Sequence, residues 1–135
     1  MSDTARLKPA LMGAAAMILL ATPGAAQTPA ALSGLQGGVW ELRDLGRSGR
    51  TPRHICVRNP ERLLQIRHAG RACPRRILSQ DRDSVTARYE CSGSGWGQTT
   101  VSVETPRLAR IDTQGIHNGS PFHNVYEARR TGDCP

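Results

Sequence analysis

Four cysteines, Cys56, Cys73, Cys91 and Cys134, constrain this chain more tightly than any other feature, and what they do depends on the compartment they reach. The N-terminus answers that question. In "MSDTARLKPALMGAAAMILLATPGAAQ", Arg6 and Lys8 precede an apolar run from Ala10 to Ala21, followed by small residues. This is the pattern of a secretory signal peptide. The run is shorter than the roughly 20 residues a membrane-spanning helix needs, and cleavage is expected after Ala26, with Ala30 as the second choice. No later stretch is apolar enough to span a bilayer, so no transmembrane segment is expected once the signal is removed. The domain plan is a signal peptide over 1–26, a flexible lead-in over 27–37 rich in Ala, Gly, Pro and Ser, and a single domain over 38–135.

An even number of cysteines in an exported chain reads as disulfides. A four-thiolate zinc site is the rival reading. It requires close pairs such as C-x-x-C, whereas the successive spacings here are 17, 18 and 43 positions. Cross-links also meet a need. After Gln27 the aromatic residues are Trp40, Tyr89, Trp96, Phe122 and Tyr126, so the core is lean, and burial stabilises a domain of this length only modestly.

The body of the chain alternates. In "SVTARYEC", Val85, Ala87, Tyr89 and Cys91 share one face while Thr86, Arg88 and Glu90 share the other, the period-two pattern of a half-buried strand. "QTTVSVETP" repeats it with Val101 and Val103, and "RLARIDTQ" with Ala109 and Ile111. "GGVWELRDL" and His54–Val57 form an earlier hairpin around Gly46 and Gly49, and "HNVYEARR" follows the turn signal "HNGSP". One helix is expected, in "NPERLLQIRHAG", with Asn59 as cap, Pro60 in the first helical position, Gly70 at the exit and Leu63, Leu64 and Ile66 as its apolar stripe. So short a helix must dock on the sheet. The expected fold is therefore mainly β: an antiparallel meander of about seven strands forming a small sandwich or open barrel, with one short helix.

Strand pairing suggests how the cysteines bond. If the strands flanking "DRD" form a hairpin, opposed residue numbers sum to 164 and Cys73 faces Cys91 at the cross-strand distance a disulfide needs. Cys56 and Cys134 remain for each other, closing a loop of about eighty residues and contributing about 3 to 4 kcal/mol in the chain-entropy picture. The alternative, Cys56 with Cys73 and Cys91 with Cys134, would clip the helix excursion instead, and spacing alone does not decide between them.

The segments "GGVWELR", "ICVRNPERL", "RACPRR", "VTARYECSGSG" and "ARRTGDC", taken in order over Gly37 to Cys134, resemble a family of small exported bacterial proteins catalogued as domain of unknown function 3617. The resemblance implies an exported, disulfide-bearing β domain and brings no assigned catalytic residue. Members often carry Met-rich tracts suited to soft metals. Here Met1, Met12 and Met17 all precede the expected cleavage point, so the resemblance implies no thioether site in the exported chain.

Candidate chemistry is sparse. His117 and His123 flank the "NGSPF" turn, and with Asp112 they are the best candidates for a metal-dependent hydrolase; the plainer reading is a solvated turn. "GSGWG" around Ser94 lacks the order and the strand-to-helix turn of a nucleophile elbow and reads as a turn. "NGS" at Asn118 matches a glycosylation pattern that a bacterial export signal makes coincidental. No catalytic residue, metal or cofactor is assigned, and a binding role is favoured over an enzymatic one. Trp40 and Trp96 would line a cavity if the sheet closed, or else supply core volume.

Charge is the strong bias. After residue 26 there are sixteen arginines against ten acids, net +6, and no lysine. Arginines cluster at 43–53, 71–76 and 129–130. Guanidinium forks suit phosphate and carboxylate, which makes Arg71, Arg75, Arg76, Arg129 and Arg130 the candidate anion-binding residues. The expectation is a non-enzymatic periplasmic or secreted domain that binds a small apolar ligand or an anionic envelope component. An arginine-rich interaction protein for an acidic surface or partner is the alternative. Nucleic acid is not expected, because the compartment is wrong and the basic strands lack repeated aromatic interleaving.

Overall fold

The computed structural model describes residues 28–135; the predicted export segment over 1–26, its cleavage point and Gln27 lie outside the described residues. Seven strands follow one another: β1 (Gly38–Asp44), β2 (Arg53–Val57), β3 (Arg75–Gln80), β4 (Ser84–Cys91), β5 (Gly95–Thr105), β6 (Leu108–His117) and β7 (Ser120–Gly132). They form one sheet in the order β2-β1-β7-β6-β5-β4-β3. Every neighbouring pair is antiparallel. The expected mainly β fold holds, and within its two forms the single sheet excludes a sandwich.

Alternation decides what the sheet buries. Val85, Ala87, Tyr89 and Cys91 on β4, Thr99 and Val101 on β5, and Ala109, Ile111 and Thr113 on β6 are all buried on one face. Residues between them point to the other face, where Thr86 and Thr100 are hydrogen-bonded across strands at 2.9 Å. A 3₁₀ segment, Pro60–His68, lies against the buried face and touches β2, β4, β5 and β6. Contact with strands that far apart in the sheet order requires the sheet to curl around the segment, which makes it an open, plugged half-barrel.

The Asn59 cap is in place, its side chain accepting from the Glu61 amide at 3.0 Å, and Gly70 leaves the segment at φ 80°. Leu63, Leu64 and Ile66 are buried as expected, but the geometry is 3₁₀ and is broken at Gln65 (φ −136°, ψ 36°). The break has a local cause. Gln65 Nε2 donates to the carbonyls of His68 and Arg71 and contacts Cys73 Sγ, so its side chain serves the chain leaving the segment.

The flexible lead-in is a correction. Ala30–Ser33 forms a short helix, α1, and Ala31, Leu32 and Leu35 are buried in the main core. Gln36 is fixed on both sides: its amide donates to Pro106 O at 2.9 Å, and its carbonyl accepts from Trp40 Nε1 at 3.1 Å. The indole is fully buried and must place its N–H somewhere, and the lead-in supplies the acceptor. The domain therefore begins before residue 38.

Both disulfides join the pairs that strand geometry favours, Cys56–Cys134 and Cys73–Cys91, with Cα separations of 5.5 and 4.8 Å. The predicted sum of 164 holds for Arg75↔Tyr89, Arg76↔Arg88 and Ile77↔Ala87; a bulge at Leu78 then shifts the ladder to Ser79↔Thr86. The "HNGS" turn is tight, with Asn118 and Gly119 both at positive φ (49° and 80°), as a two-residue hairpin turn demands.

Candidate functional site

Arg71, Arg75 and Arg76 come together at the β3 edge of the sheet. Tyr89 and Ala87 point into the core, so their partners Arg75 and Ile77 lean to the concave side, whereas Arg76 lies on the outer face opposite Arg88. Two arginines directly opposed on an antiparallel pair repel each other. Arg88 is partly satisfied, with Glu90 at 3.4 Å and the Trp96 ring 4.0 Å below its guanidinium. Arg75 is paired with Glu61. Among the described residues, neither Arg71 nor Arg76 has a carboxylate partner; Arg71 donates only to the Ser92 carbonyl, at 3.3 Å.

Two grooves flank this edge. On the concave side, about 360 Å³ is lined by Glu61, Arg62, Gln65, Arg71 and Arg75 among others. On the outer side, about 340 Å³ is lined by Pro74, Arg75, Arg76, Arg88 and Glu90. Arg75 belongs to both. Arg88 was not among the residues chosen from sequence, although the sum of 164 that placed Cys73 opposite Cys91 also places Arg88 opposite Arg76.

Arg129 and Arg130 do not join this site. β7 is separated from β3 by three strands, and Arg129 sits beside Leu108 at the other end of the ladder. Arg129 pairs with Glu127 at 3.6 Å. Arg130 is structural: its Nε donates to the Gly37 carbonyl at 2.6 Å and its guanidinium pairs with Asp133, joining the lead-in to the C-terminal tail.

The histidine candidates are also separated. In the β6–β7 hairpin, opposed numbers sum to the odd value set by His117↔Ser120, so residues of like parity fall on opposite faces. His117 points to the concave side. His123 points outward and meets Asp112 there at 3.0 Å. The three cannot share a metal ion, and among the described residues no group of three or more His, Cys, Asp or Glu side chains is arranged to hold one. The tryptophans divide the same way: Trp40 is in the core and Trp96 is half-buried under Arg88. They line no common cavity, and Leu32, Leu35, Leu63, Leu64 and Ile66 fill the concave face where a small apolar ligand would have sat.

What sequence reasoning missed is a buried polar cluster around His68. Its Nε2 lies 3.1 Å from the Ser94 carbonyl, which can only accept, so Nε2 donates there, while Nδ1 is hydrogen-bonded with Tyr89 Oη at 3.0 Å. Burial pushes the Tyr89 hydroxyl up to about 12, with Arg67 acting weakly in the opposite direction. His117 packs edge to face on His68 at 4.6 Å. Desolvation lowers its pKa, and His68, Arg67 and Arg71 lower it further. His117 Nδ1 and Ser94 Oγ are buried without a hydrogen-bond partner among the described residues. Tyr89 can reach His68 because its partner across β5 is Gly97, where any Cβ would collide with the phenol.

Compared with protein-family models, curated proteins and solved structures, the chain matches none. Its two bridges are those of a protein that folds in an oxidising compartment. Among the described residues no helix is long and apolar enough to cross a membrane.

Proposed function

We propose that this chain is an exported, non-enzymatic binding domain of the bacterial envelope, in keeping with its resemblance to the domain of unknown function 3617, and that it receives an anionic partner at the β3 edge. One observation carries the reading: Arg76 is set directly against Arg88, and among the described residues no carboxylate neutralises Arg76. A fold gains nothing from opposed like charges, whereas a phosphate or carboxylate between the two forks relieves the repulsion and takes charge-assisted hydrogen bonds from both. The filled concave face favours this reading over an enclosed apolar ligand.

The test is binding to polyglutamate and to phosphatidylglycerol vesicles at rising salt. Binding to at least one should weaken steeply with ionic strength, and Arg71→Glu with Arg76→Glu should weaken it at least tenfold. Arg129→Glu should leave it unchanged. Salt-insensitive binding, or equal loss in the Arg129 variant, would show that net charge and not this edge is responsible.

A further inference from the structure

The chemistry of the edge points to a particular kind of anionic partner, an inference that rests on the reading above. β3 ends the sheet and pairs with β4 alone, and all six of its residues are exposed. Ile77 and Leu78, at 43% and 44% exposure, are two of the three large hydrophobic side chains left in solvent among the described residues. The backbone directions follow from the ladder. Glu90 N donates to Pro74 O at 3.1 Å, so alternation makes Arg76–Arg88 a hydrogen-bonded pair and Arg75–Tyr89 and Ile77–Ala87 non-hydrogen-bonded pairs. The 4.8 Å Cα separation of Cys73 and Cys91, two residues further along, is the short spacing of that second class. The N–H and C=O groups of Arg75 and Ile77 therefore point away from the sheet, with no backbone partner among the described residues.

We propose that the β3 edge is a strand-addition site for an extended acidic polypeptide segment in which acidic and apolar residues alternate. An added strand would take its backbone hydrogen bonds from Arg75 and Ile77. Its residues opposite those two would turn their side chains to the concave side, beside Ile77. The intervening residues would turn outward into the groove of Arg76 and Arg88, where a carboxylate supplies the partner that Arg76 lacks and adds to the Glu90 contact of Arg88. The edge thus offers a distinct environment on each side, Ile77 next to the Glu61-paired Arg75 on the concave side and the opposed Arg76 and Arg88 on the outer side, for the two faces of a strand. A second copy of this chain is a poor occupant, since β3 reads RRILSQ, with two arginines and no acid, and would meet its own charge. The bulge at Leu78 limits the paired window further, a common defence against edge-to-edge association.

The experiment uses the peptide acetyl-Glu-Val-Glu-Val-Glu-Val-amide and two derivatives, one N-methylated at its valines and one at its glutamates. With Glu facing Arg76 and Arg88, the valine amides face the protein. The parent and the Glu-methylated peptide should bind and slow amide exchange at Arg75 and Ile77, while the Val-methylated peptide should bind at least tenfold more weakly. A Lys-Val peptide should bind only after Arg76→Glu with Arg88→Glu. Equal binding of both methylated forms would overturn strand addition and leave the anion-binding edge standing, as would vesicle binding without peptide binding. Failure of peptide, polyglutamate and vesicles alike would overturn both readings. A dimer joined through β3 would identify a second copy as the occupant and overturn the acidic partner.

Discussion

His117 shows how a residue that reads in the sequence as part of a turn acquires a buried setting from register. It shares the concave side with Tyr89 of β4, Phe122 of β7, and Arg67 and His68 of the 3₁₀ segment; burial, the neighbouring imidazole and the cations Arg67 and Arg71 all disfavour its protonated form. The unfolded chain takes up a proton at this position near the ordinary value of 6.5, the folded chain only at lower pH. Below about 6.5 the unfolded state binds more protons, so stability is fully present above that pH and falls as the solution is acidified towards the folded value. The urea midpoint should therefore be lower at pH 5.5 than at pH 7.5, and His117→Gln should reduce the difference. An unchanged difference in the variant would assign the acid sensitivity to other groups.

At the level of elements, α1 tests how far composition can mislead. Its four residues, AALS, sit in a stretch of small residues that reads as linker, yet Leu32 has no exposed surface and packs with the core under β4 and β5. Leu32→Ala should cost about 2–5 kcal/mol, measured as a lower midpoint in chemical denaturation; a cost near zero would restore the flexible lead-in. The strands were legible because a half-buried sheet imposes a period of two on side chains, visible in "SVTARYEC" without any knowledge of neighbours. The β3–β4 register was legible because one hairpin fixes it, and the disulfide followed. Helix α1 was not, since a single turn has no period to detect and its burial is decided by a partner far along the chain. The alternative that joined His117 and His123 in one metal site failed for a related reason: proximity in sequence at a turn says nothing about face until the parity of the register is known. The same register contained Arg88 as the partner of Arg76, and only a reading restricted to clusters along the chain kept it out of view.

Across the whole molecule, the two bridges divide stability from site geometry. Cys56–Cys134 spans 78 positions and ties the last residues to β2, one end of the strand order, whereas Cys73–Cys91 spans 18 and lies beside the arginine edge at the other end. In the chain-entropy picture the long bridge contributes roughly 4 kcal/mol and the short one roughly 3 kcal/mol, large amounts for a domain whose net stability is of the order of 5–15 kcal/mol. The long bridge is backed by other attachments, since β7 is paired with both β1 and β6 and Arg130 holds Gly37 and Asp133. Little besides β4 holds β3, so the short bridge fixes where Arg71, Arg75 and Arg76 stand relative to Arg88. Replacing both members of each pair by serine should therefore separate two effects. Cys56→Ser with Cys134→Ser should lower the denaturant midpoint more while leaving polyglutamate affinity within about twofold at temperatures where the protein remains folded. Cys73→Ser with Cys91→Ser should lower the midpoint less and weaken binding several-fold, because loosening an edge strand adds an ordering cost to every association made there. Were the long-bridge variant the one to lose affinity, the partner would have to engage the β2 end of the sheet, where the tail is fastened.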